Sequence, residues 1–218
     1  MNLPEIIICG EQSSGKSSVL EAVSGVKFPS EDNLCTRFAT ELIFRRSPDV
    51  PIRISIVPGS REKDRLETDL EKVRNFHYSG ASEELDLELM IEAAKEVVGI
   101  TVGGSKVFSS DILRLEISGP EQPHLTLVNL PGLFQAGSRS RSDIDAETVK
   151  SLVLSNMKNP RSIILAVVSA KNDFNNQSIT KYPRGAIIRC ALGGLFLVVL
   201  FLPVQYLNNT LSFLSKLA

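Results

Sequence analysis

Cysteine and histidine are scarce in this chain, and neither is arranged to do chemistry. Cys9, Cys35 and Cys190 are odd in number, far apart and without paired metal-type spacing, which argues against a disulfide framework and favours a reducing compartment. His77 and His124 stand apart from any Cys or Asp cluster, so neither is a candidate metal ligand or catalytic base; both read as structural or exposed. A surplus of charge is also missing. With 24 Lys and Arg against 25 Asp and Glu, the totals carry no footprint for nucleic acid or for an acidic membrane surface, and no nucleic-acid partner is expected. Met1 to Pro4 lead directly into the apolar run at Ile6 to Cys9, leaving no room for an export signal, so a cytoplasmic location is expected. No internal repeat is evident. What is present is 43% apolar content over 218 residues, enough for one sizeable core, with a single α/β domain as the default.

Strands and helices alternate along most of the chain. Ile6 to Cys9, largely β-branched and ended by Gly10, predicts a buried strand, and Lys16 to Val23 a helix. Thr40 to Arg46 and Ile52 to Val57 predict two strands that could pair as neighbours across the turn formers between them. Arg61 to Phe76 is mostly charged. Ser82 to Val98 predicts a helix that starts near Ser82, with Leu85, Leu87, Leu89, Ile91 and Ala94 as its apolar face. Ile112 to Ile117, Leu125 to Leu130 and Ile163 to Val168 predict further strands, and Asp143 to Met157 a helix. This alternation implies a doubly wound, mostly parallel sheet with its ligand at the carboxyl ends of the strands.

Between the first strand and the first helix lies Gly10-Glu11-Gln12-Ser13-Ser14-Gly15-Lys16-Ser17, which satisfies the pattern G-x-x-x-x-G-K-S/T. Its glycines allow successive amide N–H groups to turn inward while the helix presents its positive end to the same point, and phosphate is what such a nest binds. Lys16 is placed to reach the β and γ phosphates of a nucleotide and the Ser17 hydroxyl to ligate Mg²⁺.

Three segments together, Gly10 to Gly25, Asn33 to Leu42 and Leu125 to Leu133, resemble the GTPase domain of the dynamin superfamily, in particular the fungal dynamin-like proteins. The resemblance covers about Leu3 to Thr180. It implies an α/β fold of the P-loop NTPase type, incomplete here at its C-terminal side, with GTP and Mg²⁺ as ligands. It also implies nucleotide contacts from Glu11, Gln12, Ser13, Ser14, Gly15, Lys16, Ser17 and Ser18. Thr36 matches the switch I threonine that binds Mg²⁺ and helps place the attacking water; alone, it would read as a solvated or turn residue. Gln12 matches a water-orienting position and Ser13 a contact to a monovalent cation, which makes Gln12, Ser13, Lys16 and Thr36 the candidate catalytic set. Gly132 matches the switch II glycine that senses the γ phosphate, although Pro131-Gly132 is also an ordinary turn signal. Arg37, on sequence alone, reads as a surface charge.

Two departures from the family pattern stand out. Asn129 occupies the position of an Asp that holds a water on Mg²⁺, so the shape is kept and the charge lost, which weakens the metal's outer shell. The guanine-reading T/N-K-x-D motif has only one near match, Ala170-Lys171-Asn172-Asp173, which comes one helix and one strand too early. Ser169 to Gln177 instead resembles the family's loop against a partner GTPase domain, with Asp173 as its acidic contact; a solvated loop is the alternative. Pairing with itself or with another dynamin-like GTPase is the expectation that follows. An ATP-binding P-loop protein and a non-enzymatic remnant or regulatory fragment remain as alternatives.

The organisation expected is a partial GTPase domain over residues 1–180 and a divergent hydrophobic tail over 181–218. Cys190 to Val204 carries no charge, yet its fifteen residues as a helix reach roughly 22 Å, short of a hydrocarbon core of roughly 30 Å. Extension to Ala186 and Leu207 attains a spanning length but takes in Arg189, Pro203 and Gln205. A membrane span, a buried element replacing a lost strand, and unrelated sequence such as a read-through intron all stay open. A span would leave the GTPase part in the cytosol, because Lys181, Arg184 and Arg189 precede the run.

Overall fold

The computed structural model describes residues 5–26, 36–49, 51–59, 65–81, 87–101, 107–134, 143–157, 162–169 and 198–202. They fall into two compact units, one from residues 1–27 with 127–218, the other from 28–126. Together their elements make a mixed α/β fold of the P-loop GTPase kind with mostly parallel pairing, as the alternation of elements predicts.

In the first unit, β1 (Glu5–Gly10) pairs in parallel with β7 (Ser162–Ser169), and β7 pairs in parallel with β8 (Val198–Leu202). β6 (Leu125–Asn129), whose last three residues belong to this unit, stands next to β1. Ile7 to Gly10 and Ile164 to Val168 are buried without alternation, the mark of parallel strands covered on both faces. α1 (Lys16–Ser24) packs on β1, and α4 (Asp143–Met157) packs on β1 and β7 through a stripe containing the buried Val149 and Val153, four residues apart. β8 is the part of the apolar tail that lies among the described residues. Among those residues, no helix is long and apolar enough to cross a membrane.

The second unit holds β2 (Ala39–Arg46), β3 (Pro51–Val57), α2 (Glu67–Asn75), β4 (His77–Ala81), α3 (Leu87–Val97) and β5 (Ile112–Gly119), with strand order β4-β3-β5-β2. β2 and β3 are therefore not neighbours. β5 lies between them, parallel to β2 and antiparallel to β3, while β4 is antiparallel to β3 at the edge. Burial alternates here. Leu42, Phe44, Ile52, Ile54, Ile56, Leu113, Leu115 and Ile117 turn to a core against which α2 packs, and the opposite face carries Glu41, Arg45, Arg53, Arg114 and Glu116. On that face Arg114 Nε donates to Glu41 Oε2 at 2.6 Å and Arg45 pairs with Glu116.

α3 corrects the expected apolar face. Ile91, Ala94 and Val98 are buried at helical spacing, but Leu89 is 62% exposed, because a residue two positions from Ile91 lies on the far side of the helix. The expected helix start at Ser82, and Leu85 with it, lies outside the described residues. His77 and His124 are exposed, as read from the sequence.

Asp111, just before β5, is a buried ion of this unit, with 1% of its surface exposed. It accepts from the Gly59 N–H, the Ser109 hydroxyl and Arg65. Burial alone would raise its pKa, but the Arg65 and Ser109 hydrogen bonds, the Gly59 amide and the Arg65 charge outweigh it and hold the carboxyl below the usual value. Because the folded value lies below the unfolded one, this stabilisation is present above the unfolded pKa of about 3.9 and is lost as pH falls through the lower folded value. Urea midpoints measured across that acid range should fall more steeply for the natural chain than for Asp111→Asn. Parallel curves would show that the carboxylate has no share in acid stability.

Candidate functional site

The turn from β1 into α1 is built by backbone geometry before any side chain acts. Gly10 ends β1 directly against β7: a Cβ there would lie 2.3 Å from the Val167 carbonyl oxygen, a separation no side chain tolerates. Ser13 takes a left-handed conformation at φ 59°, and Gly15 another at φ 95°, where the absence of a Cβ removes the penalty. Gly15 is also the N-cap of α1. No side chain caps the helix there and its first turn holds no acidic residue, so no carboxylate of that turn competes for the positive end of α1. That is an arrangement suited to an anion.

Lys16 completes the loop. Although it is 7% exposed, its ammonium donates to the Glu11 carbonyl at 2.7 Å, which folds it back over the turn. The Ser14 hydroxyl is enclosed beside it in sequence, and among the described residues it has no hydrogen-bond partner. Ser17 is half-buried at the start of α1, whereas Ser13 and Ser18 are exposed. Cys9, the preceding strand residue, is buried so deeply that its thiol is pushed up to about 12 despite the opposing pull of the Lys16 charge, so it remains a thiol at neutral pH.

The segment after β6 is fastened to this loop through the main chain. Leu130 N–H donates to Ile8 O at 3.1 Å, Leu133 N–H to Gly10 O at 3.0 Å, and Gln12 N–H to Leu133 O at 3.0 Å. Asn129, 2% exposed, ends β6 and opens this segment. Gly132 sits where nothing larger fits: a Cβ would be 2.7 Å from Gln12 Cα, 2.8 Å from Gln12 N and 2.9 Å from Lys16 Nζ. One unit thus brings together Glu11 to Ser18, Asn129 and Gly132. Thr36 is half-buried in the other unit, and Asp173 lies outside the described residues.

Nothing in the residue pattern singles out Leu133, which is tied to the loop by its main-chain atoms, or Asp111, whose partners Gly59 and Arg65 lie far earlier in the chain. Arg37 is not the surface charge it resembles. It is half-buried, its Nε is enclosed without a hydrogen-bond partner among the described residues, and its carbonyl accepts from the Ser109 N–H at 3.0 Å.

The contact at Gly132 has a direct test. In Gly132→Ala the Lys16 ammonium can swing aside, but the Gln12 backbone is pinned by Leu133, so overpacking should cost about 1–3 kcal/mol. A lowered denaturant midpoint is the expected result, and an unchanged one would mean that the two backbones do not approach closely.

Comparison with known proteins agrees with this geometry. The family model for the Dynamin family matches residues 6–185. Among curated relatives, "Interferon-induced GTP-binding protein Mx1" of Oncorhynchus mykiss is 33% identical over 172 residues, covering 78% of this chain and 25% of the relative. "Interferon-induced GTP-binding protein Mx" of Epinephelus coioides is 33% identical over 176 residues, covering 78% and 24%, and that of Perca fluviatilis is 33% identical over 173 residues, covering 78% and 51%. The chain thus spans between about a quarter and a half of the length of these relatives. With its phosphate loop, the Gly132 segment and a family match over most of its length, the chain belongs to the dynamin family.

Proposed function

We propose that the chain binds GTP with Mg²⁺ and hydrolyses it to GDP and phosphate. The observation that carries this reading is the packing of Gly132 against Gln12 and Lys16 at a helix start free of side-chain caps. Water attacks the γ phosphorus in line, and the bond from that phosphorus to the β,γ-bridging oxygen breaks. The Lys16 ammonium offsets charge on the β and γ oxygens, exchanging its Glu11 carbonyl for phosphate. Because the Gln12 N–H is held by the Leu133 carbonyl, orientation of the water falls to the Gln12 side chain. The left-handed turn at Ser13 leaves an exposed hydroxyl for a monovalent cation.

Ser17 and Thr36 are hard oxygen donors of the kind Mg²⁺ takes, and with Asn129 in the outer shell they would hold the ion, which when bound offsets charge on the phosphate oxygens. The exchange of a carboxylate for the Asn129 amide weakens that hold. If a hydrogen bond to a charged group is worth about 1.5–3 kcal/mol, the loss is roughly ten- to a hundredfold in affinity. Pairing of GTPase domains through Asp173, a cytoplasmic setting and membrane association through the apolar tail belong to the same reading.

A second reading, a regulatory fragment that binds nucleotide without turnover, is favoured by Asn129. Three measurements separate the readings. Lys16→Ala should abolish phosphate release, and a trace unchanged from the natural chain would reject the enzyme. Asn129→Asp should tighten GTP binding about ten- to a hundredfold in Mg²⁺ and leave it unchanged in a chelator; no gain on restoring the carboxylate would defeat the outer-shell argument. Competition between GTP and ATP decides the base, with preference for GTP expected.

A further inference from the structure

The Asp111 cluster ties the residues just before β5 to Gly59 and Arg65, which lie 52 and 46 positions earlier in the chain. Oδ1 accepts from the Gly59 N–H at 2.9 Å, just past β3, while Oδ2 accepts from the Ser109 hydroxyl at 2.6 Å and from Arg65, just ahead of α2. Ser109 is the relay. Its Oγ also receives the Asp111 N–H at 3.3 Å and Arg65 Nη2 at 3.4 Å, and its own N–H donates to the Arg37 carbonyl at 3.0 Å. Ser109 is 1% exposed, so water cannot easily substitute for any of these partners. Arg37 follows Thr36 directly, and the buried Phe38 follows Arg37 into β2.

We propose that Asp111 and Ser109 are positioning residues for the segment that carries Thr36, fixing its main chain at Arg37 so that Thr36 is presented in one conformation. A buried ion is a weak source of net stability, since apolar residues of similar volume often serve as well. What the ion supplies that they cannot is direction. A carboxylate with three donors fixes the Ser109 rotamer and backbone, and the Ser109 N–H fixes where the Arg37 carbonyl can lie. The inference rests on the reading that Thr36 acts on the bound nucleotide, and its effect is on a step that requires Thr36, not on the grip of the phosphate loop.

The experiment uses the whole chain with Ser109→Ala, which keeps the N–H and removes the relay, and with the isosteric Asp111→Asn. Hydrogen exchange is measured in the absence of nucleotide. Amides of residues 107–111 and 37–39 should exchange about tenfold faster in either variant, with residues 5–10 of β1 unchanged. Binding is then measured with GDP and with a non-hydrolysable GTP analogue in Mg²⁺. The preference for the analogue over GDP should fall about tenfold, because only the analogue carries the γ phosphate that engages Thr36. Exchange that is unchanged, or that rises equally in β1, overturns the positioning role, as does equal weakening of both nucleotides. Failure of the natural chain to bind either nucleotide refutes the functional reading instead, and the exchange comparison still decides the tether separately. Should Asp111→Asn not fold, Ser109→Ala carries both readouts.

Discussion

Three main-chain hydrogen bonds, Ile8 to Leu130, Gly10 to Leu133 and Leu133 to Gln12, hold the phosphate loop against the chain that leaves β6. They set the loop's shape by sharing its polar groups between two strands. The Ile8 and Gly10 carbonyls and the Gln12 N–H are taken up by the neighbouring segment, and no side chain caps the start of α1. Gly132 and Lys16 follow from that constraint. Only a residue without a Cβ can lie across Gln12, and only a long cation can return over the loop to the Glu11 carbonyl.

Sequence reasoning succeeded where physics is local. Ile6 to Cys9 is legible as a strand because a buried parallel strand needs no alternation, and Asp143–Met157 is recovered at its full length, with Asp143 and Asp145 in its first turn. The phosphate loop is legible because its spacing encodes a backbone conformation. Strand order was not. β2 and β3 are adjacent in sequence, yet β5 enters between them, and nothing in either strand's own pattern encodes a partner that arrives more than fifty residues later. β4, read as His77-Tyr78-Ser79-Gly80-Ala81, has no apolar run to announce it; its pairing with β3 does so instead. Leu89 failed as a core residue because composition identified a helix without settling its rotation.

The Asp111 cluster was illegible for a further reason. Gly59, Arg65, Ser109 and Asp111 are each ordinary loop residues by type, and only burial makes them a set. A polar residue in a loop is normally solvated. The sequence carries no sign of the 1% exposure of Ser109 and Asp111 that removes water from the competition and turns three common side chains and a backbone amide into one junction.

Lys16 and Asp111 are buried ions, one in each unit, and their polar surroundings differ in kind. The Lys16 ammonium donates to a neutral carbonyl, that of Glu11, within a loop whose spacing suits phosphate. Asp111 is already met by a guanidinium, a hydroxyl and an amide, and an arriving ligand would gain little from it. Asn129, buried at the end of β6, brings an amide and no charge to the segment that is fastened to the phosphate loop. On the function proposed above, an amide there would leave the loop's attraction for phosphate in place and lessen its attraction for a divalent cation.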